Sequence, residues 1–238
     1  MEESDLVLIC KERVSKFFMP VKVTNTYDIS HIRDVVIRCP HCRNNGCFAP
    51  LGGANKDTGV GHQGRYVVGY RQCPNPACKY LVFFVYDDGS RALNRVFPPV
   101  SLDFDSTDIP VKIASALREA VTCHAHECFV ASAIMIRKTL EEICFDKSVQ
   151  GKNLKERIST LGSQILIPRE LIEGMDELRL LGNDAAHIES TAFNQVSKDE
   201  VEVGIEFAKE ILKAVYQYQH LLSQLRKLKT VKAPPQNT

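Results

Sequence analysis

Two pairs of closely spaced cysteines constrain the fold of this chain more than any other feature. The first pair lies in the stretch CPHC and the second, further along the chain, in CPNPAC. A short turn between two cysteines can give both thiolates to one ion, and two such turns complete the tetrahedral shell of a structural zinc site. The predicted ligands of Zn²⁺ are Cys39, Cys42, Cys73 and Cys78. Because four thiolates leave no position for water, this metal would stabilise a small fold and would not catalyse a reaction.

Two other interpretations of these cysteines stay open. The pairs can be unrelated free thiols. Within the metal interpretation, His41 and Cys47 are close enough in sequence to replace one of the four ligands.

The number of cysteines and the length of the apolar runs bear on the compartment. Nine cysteines form an odd set, and a reducing compartment keeps thiols free, so a disulfide framework is not expected. The most apolar runs, YLVFFVY and ASAIMI, are far shorter than the roughly 20 residues of a membrane-spanning helix. The formal net charge of +1 gives no overall field that would select nucleic acid or membrane. We expect a cytoplasmic protein without a membrane partner.

The composition changes near residue 100, which predicts two domains. Glycines, the cysteine pairs and β-prone runs lie before this point, and helical periodicity follows it. We predict an α+β fold, in which a small β-rich zinc ribbon precedes an all-α helical bundle. The predicted segments are a short N-terminal helix within residues 1–30, the ribbon in 31–100, a linker at 101–109, the bundle in 110–229 and a disordered tail at 230–238.

Local signals predict several elements of these domains. The stretch DDGS, from Asp87 to Ser90, separates two β-prone runs and is typical of a β-hairpin. The run from Lys112 to Asp146 predicts two helices or one bent helix. The last helix begins with a capping box, Ser197 and Glu200. Its buried stripe is predicted to comprise Val201, Ile205, Ala208, Leu212, Val215, Leu222 and Leu225.

Basic and aromatic residues are interleaved around the cysteine pairs. Such a pattern can hold phosphates and stack on bases, although surface cations are common and the tyrosines of a ribbon can be core residues. The candidate nucleic-acid-binding residues are Arg38, Arg43, Arg71 and Lys79, with Tyr66, Tyr70 and Tyr80 nearby.

Three stretches of the second half carry a family resemblance. ASAIMIRKTLEEIC, GKNLKERISTL and ELRLLGNDAAH follow one another in the chain. In this order and spacing they resemble the helical domain called domain of unknown function 4145, of the HEPN-like superfamily, over residues 108–222. A ribbon often precedes that domain. The resemblance implies a HEPN-like helical bundle, often a homodimer, of the kind found in bacterial proteins associated with restriction and phage defence.

The same resemblance implies a candidate catalytic motif. Active members of the wider superfamily are metal-independent ribonucleases with an Arg, a polar residue, three variable residues and a His. On this chain the polar residue and the His fall on Asn183 and His187, and the Arg position falls on Gly182. A histidine transfers protons near neutral pH, and an arginine stabilises charge on a phosphate. Arg137, with Glu141 one turn later, is the candidate to replace the missing Arg if the two helices pack together.

Three roles for His187 therefore stay open. It can be a buried histidine at a tight helix junction made by a break at Gly182 and Asn183, a residue that binds RNA or a nucleotide, or a catalytic residue. The corresponding functions are a binding or regulatory component of a defence or nucleic-acid-processing system, a metal-independent endoribonuclease, and a protein-interaction scaffold. The expected partners are RNA or a nucleotide, and a second copy or another protein.

Overall fold

The computed structural model describes residues 26–28, 35–50, 57–60, 66–186 and 196–231. The chain divides into two compact units, Met1–Val100 and Ser101–Thr238. Strands come first and helices follow, so the predicted α+β layout is confirmed. Within the described ranges, every helix is too short or too polar to cross a bilayer.

Unit 1, the N-terminal unit, consists of antiparallel strands in two sheets. Its strands are β1 Thr26–Asp28, β2 Val35–Arg38, β3 Asn45–Phe48, β4 Thr58–Val60, β5 Tyr66–Gln72, β6 Leu81–Asp87 and β7 Ala92–Phe97. One sheet has the order β1-β4-β5-β6-β7, and β2 pairs with β3 in the other. The predicted hairpin is confirmed, because β6 and β7 pair across the turn in which Asp87 Oδ1 accepts a hydrogen bond from the Gly89 amide at 2.9 Å.

The core of unit 1 follows from the alternation of side chains along its strands. Val82 and Phe84 on β6 point inward and are fully buried, as are Val67 on β5 and Val35 on β2. The neighbouring side chains of β6 point to the other face of the sheet. Cys39 packs in the same cluster, so the first cysteine pair is joined directly to the core.

Unit 2, the C-terminal unit, is helical. Its helices are α1 Val111–Ala125, α2 Phe129–Asp146, α3 Leu154–Gln164, α4 Arg169–Ala186, α5 Lys198–Leu212 and α6 Tyr218–Val231, with a π-helical segment, Lys213–Gln217, between the last two. Asn153 caps α3 by accepting a hydrogen bond from the Glu156 amide. The capping box of Ser197 and Glu200 at the start of α5 is confirmed. The helices enclose one apolar core, to which α2 contributes Ile136, Leu140 and Ile143.

The segment predicted as a linker has a packing role. Leu102 and Phe104 pack against the helical core, and Ile109 is buried in it. Residues 101–109 therefore belong to the packed part of unit 2. Of the predicted terminal segments, residues 26–28 form β1 and residues 230–231 close α6, and the rest of 1–30 and of 230–238 lies outside the described residues.

Two expectations for the helices are corrected. The chain does not break at Gly182 and Asn183, because α4 continues to Ala186. Leu222 and Leu225 do not belong to the buried stripe of the last helix, since both are exposed. The π-helical segment adds a residue to a turn and thereby rotates the apolar positions that follow it away from the core.

Candidate functional site

The four predicted ligand cysteines lie together at one end of unit 1. Their sulfur atoms all lie within 4.8 Å of one another. Cys39 Sγ is 3.8 Å from Cys78 Sγ, and Cys42 Sγ is 3.7 Å from Cys73 Sγ. Tetrahedral coordination with zinc–sulfur bonds of about 2.3 Å requires an edge of about 3.8 Å between sulfurs. The cluster therefore has the dimensions of a four-thiolate metal site, and it is the only such group among the described residues.

Two similar turns build this cluster. In the first, the Cys39 amide donates to the Asn44 carbonyl at 2.9 Å, and in the second the Cys73 amide donates to the Tyr80 carbonyl at 2.8 Å. Each turn reverses the chain and brings its two thiols to the same side. The second turn joins β5 to β6, so the cluster fixes the end of the central hairpin of the large sheet.

The residue after the second cysteine of each turn has a left-handed backbone. Arg43 has a φ of 65° and Lys79 a φ of 50°. Such angles are uncommon for residues with a side chain and occur where the surrounding structure imposes them. The two turns thus place a basic side chain at equivalent positions beside the sulfur cluster.

Backbone amides and the His41 ring approach the sulfur atoms as they would approach charged thiolates. The amides of His41 and Cys42 approach Cys39 Sγ at 3.4 and 3.5 Å, as expected for donors to a charged sulfur. The His41 ring stacks on Tyr80, with ring centroids 4.9 Å apart, and its Nδ1 atom lies 3.5 Å from Cys78 Sγ. These contacts orient the ligands and spread their negative charge.

The thiols of the cluster differ in acidity. The Asn44 amide donates to Cys42, which lowers the pKa of this thiol to about 7. Burial raises the pKa of Cys73 to about 12. A buried thiolate at neutral pH needs a cation beside it, so the site as a whole suits a divalent metal that is soft enough to prefer sulfur.

The two alternative ligands stand apart from the cluster. Cys47 is exposed on β3 and is not part of the group of sulfurs. His41 contacts Cys78 through its ring and is better described as a neighbour of the ligands than as a ligand. The free-thiol interpretation does not account for the close approach of all four sulfurs.

The predicted nucleic-acid-binding residues fall into two groups. Arg43 and Lys79 each follow a ligand cysteine, and the Arg38 guanidinium donates to the Arg43 carbonyl at 2.8 Å, so these three lie around the cluster. Lys79 is exposed and Arg43 is partly exposed. Arg71 is fully buried, where its Nη2 atom lies 2.6 Å from Asp57 Oδ2 and its guanidinium stacks on the Phe84 ring. Arg71 is therefore an internal ion-pair residue, and its prediction as a nucleic-acid-binding residue is corrected. The alternation along β5 puts Arg71 on the same inner face as Val67, but the sequence does not show that Asp57 lies there to pair with it.

A row of aromatic side chains crosses the outer face of the large sheet. Tyr70 on β5 lies directly opposite Phe83 on β6, and Phe83 lies opposite Phe97 on β7. All three are exposed. Tyr70 was named from the sequence, whereas Phe83 and Phe97 were missed. The alternation in LVFFVYD could have placed Phe83 on the outer face, but the register between strands could not be read from the sequence.

In unit 2 the structure brings together some of the predicted catalytic residues. Arg137 Nε lies 3.3 Å from Glu141 Oε1 on α2, and Arg137 Nη1 donates to the Arg179 carbonyl on α4 at 3.2 Å. Arg137 also contacts Gly182 directly. Asn183 is the next residue on α4 and is partly exposed.

The packing of α2 against α4, on which the candidate catalytic group depends, is observed. Arg137 reaches the helix that carries the motif, one residue from Asn183. His187, the remaining member of the group, lies outside the described residues.

Comparison with known proteins finds a family match in the helical unit. Residues 118–230 match the model of the family described as "Domain of unknown function (DUF4145)". The match lies within unit 2 and covers just under half of the chain. No curated protein and no solved structure matches the chain.

Proposed function

We propose that this protein binds nucleic acid through unit 1, which a structural Zn²⁺ holds together at the four cysteines. The observation that carries this proposal is the pair of basic residues, Arg43 and Lys79, placed by equivalent turns beside the sulfur cluster. The turn already fixes the backbone of each residue, so mainly side-chain freedom is lost when the cation meets a phosphate.

The charge of unit 1 supports an anionic partner. In residues 35–50, 57–60 and 66–100 the acids other than Asp88 are the buried Asp57 and Asp87. The accessible basic residues of the same ranges are Arg38, Arg43, Lys79, Arg91 and Arg95. The chain as a whole is nearly neutral, so this excess is a local feature of unit 1.

Binding is tested by fluorescence anisotropy with labelled oligonucleotides over a range of salt concentrations. Arg43→Asn and Lys79→Asn remove the charges, and asparagine tolerates the left-handed backbone at both positions. Each substitution is expected to weaken binding and to reduce the slope of log K against log salt by about 1 for each phosphate that is no longer neutralised. Arg169→Asn, at an exposed basic residue of α4, is the control and should bind like the wild type. Absence of binding by the wild type at low salt would refute the proposal.

A second candidate function, metal-independent endoribonuclease activity of unit 2, is favoured by one contact. Arg137 of α2 reaches α4 beside Gly182, the position at which active members of the wider superfamily have the arginine of their motif. In this proposal Arg137 stabilises the phosphate, His187 transfers the proton, and Asn183 and Glu141 position them. RNA cleavage in EDTA should disappear in His187→Ala and in Arg137→Ala, and should persist in Lys138→Ala, whose lysine is paired with Glu142 on the same helix. Intact RNA with the wild type would exclude this activity.

The biological setting is proposed from the family resemblance of unit 2. A nucleic-acid-binding unit joined to this helical domain fits a binding or regulatory component of a bacterial defence or nucleic-acid-processing system. The proposed partners are RNA or a nucleotide, together with a second copy of the chain or another protein. A binding component predicts that RNA is retained without products, and this separates it from the nuclease in the cleavage assay.

A further inference from the structure

The outer face of the large sheet carries exposed aromatic side chains on three adjacent strands. Tyr70, Phe83 and Phe97 are 42%, 46% and 63% exposed, and they adjoin one another across three paired strands. Single exposed apolar residues need no explanation, but a contiguous aromatic patch commonly marks a binding surface. Leu81 extends this patch along β6, two residues before Phe83 on the same face.

We propose that Tyr70, Phe83 and Phe97 form a stacking platform for the bases of a single-stranded nucleic acid. This inference rests on the proposed function and specifies its site and its class of ligand. Neighbouring strands are about 4.8 Å apart, so three rings in a cross-strand row extend over about 10 Å. A sheet with exposed aromatics on adjacent strands can stack two or three unpaired bases in this way.

Charge near the row favours a nucleic acid over an apolar protein surface. Arg95 is exposed on β7 opposite Val85, two residues from Phe97, so it lies on the same face of the sheet. Lys79 lies in the turn that leads into β6, close to the end of the strand that carries Phe83. The cations thus lie where the backbone of a strand stacked on the rings would pass, and no acid of β5, β6 or β7 is exposed on this face.

The ligand must be single-stranded because the rings need free base faces. In a duplex, both faces of an internal base are covered by its neighbours, and proteins read such bases from the grooves. A flat aromatic row offers no side chain that could enter a groove. Stacking is tolerant of base identity, so little sequence preference is expected.

The metal site supports this platform. The turn from Cys73 to Cys78 joins β5 to β6, and the pairing that puts Tyr70 opposite Phe83 begins at this turn. A metal bound at the turn therefore holds the register on which the row depends. The zinc would act on binding through structure, without contacting the ligand.

The test uses the full zinc-loaded chain and labelled oligouridine, oligodeoxythymidine and a duplex of equal length. Tyr70→Ala, Phe83→Ala and Phe97→Ala should each weaken binding of both single strands by about 5- to 150-fold, equivalent to about 1–3 kcal/mol per stacked base. The slope of affinity against salt should not change, because each variant keeps every cation. Tyr70→Phe and Phe83→Trp should retain binding. The duplex should bind more weakly than either single strand.

A control variant tests whether the loss of any exposed apolar side chain from unit 1 weakens binding. Val36→Ala removes an exposed apolar side chain from β2, away from the row, and should have no effect. Metal content and circular dichroism confirm that each variant is folded.

If all three aromatic variants bound the single strands with the affinity of the wild type, the stacking platform would be wrong. This result is expected if the aromatic face binds a protein. The proposed function would still stand if Arg43→Asn and Lys79→Asn weakened binding. If the wild type bound no oligonucleotide, both the platform and the proposed function would be wrong. The salt titration of the wild type tests this before any aromatic variant is made.

Discussion

Gly182 of α4 and Arg137 of α2 are in direct contact. A methyl group at Gly182 would overlap the Cβ atom of Arg137 and would lie 3.0 Å from the Ala133 carbonyl oxygen. Backbone cannot move aside as the end of a flexible side chain can. The glycine therefore allows α2 and α4 to pack closely, and it does so inside a continuous helix.

We expect Gly182→Ala to lower the free energy of unfolding of unit 2 by about 1–3 kcal/mol, because overpacking outweighs the gain in helix propensity. Gly162→Ala is the matched control on α3. The three atoms nearest to its added methyl all belong to the Ile172 side chain, with Cγ1 at 3.1 Å and Cδ1 at 3.2 Å, and a side chain can shift by a few tenths of an ångström, so the variant should be within about 1 kcal/mol of the wild type or more stable. Denaturant unfolding measures both. Equal losses for the two variants would contradict the argument.

Local chemistry made part of this structure predictable. The spacing of four cysteines indicated a common site, because a short turn determines where two thiols point. The Asp87 turn and the Ser197 capping box were equally local, since each is made by residues within a few positions of one another. The predicted α+β layout followed from such signals, summed over each half of the chain.

Features that depend on packing could not be predicted in this way. A glycine followed by an asparagine suggests a helix break, but α4 is continuous there and Gly182 packs against Arg137 of another helix. The burial of Arg71 depends on Asp57, which lies on another part of the sheet. The aromatic row depends on strand register. Each of these was decided by a partner distant in sequence.

Removal of the metal should unfold unit 1. A chelator, or Cys73→Ala, is expected to abolish the strand signal of this unit and to release one Zn²⁺ per chain, because four thiols without a cation lose the interaction that joins the two turns. The helical signal of unit 2, which has its own core, should remain. Circular dichroism and metal analysis provide the readout. Cys47→Ala is the control, and if it also loses the metal, the four-cysteine ligand set is wrong.

The exposed leucines of α6 suggest how a second copy would bind. Tyr218, Leu221, Leu222, Leu225 and Leu228 are exposed, and their spacing of three and four residues places them on one side of the helix.

If the proposed homodimer uses this side, Leu222→Asp and Leu225→Asp should shift the chain to monomer in size-exclusion chromatography with light scattering, since a charge in an apolar interface is costly. Leu166→Asp changes another exposed leucine, outside α6, and should leave the oligomeric state unchanged. A wild-type monomer at high concentration would rule out the homodimer.

The buried His124 of α1 should make the stability of unit 2 depend on pH. Both of its ring nitrogens lack a hydrogen-bond partner among the described residues, and Glu202 Oε2 of α5 lies 3.7 Å from Nε2. Burial lowers the pKa of this histidine from 6.5, and it outweighs the opposing effect of Glu202; Lys198 also lowers the pKa. The folded state therefore binds a proton less readily than the unfolded state.

It follows that the contribution of His124 to stability is complete above pH 6.5 and is lost as the pH falls below that value, where the unfolded chain takes up the proton first. As the pH is lowered from about 7.5 to about 5, the free energy of unfolding of His124→Gln should fall less steeply than that of the wild type. Denaturant unfolding at each pH measures this. The free energy of unfolding of Glu202→Gln should fall more steeply than that of the wild type, because the carboxylate that favours the charged His124 ring is gone. Parallel curves for all three proteins would show that His124 titrates alike in both states.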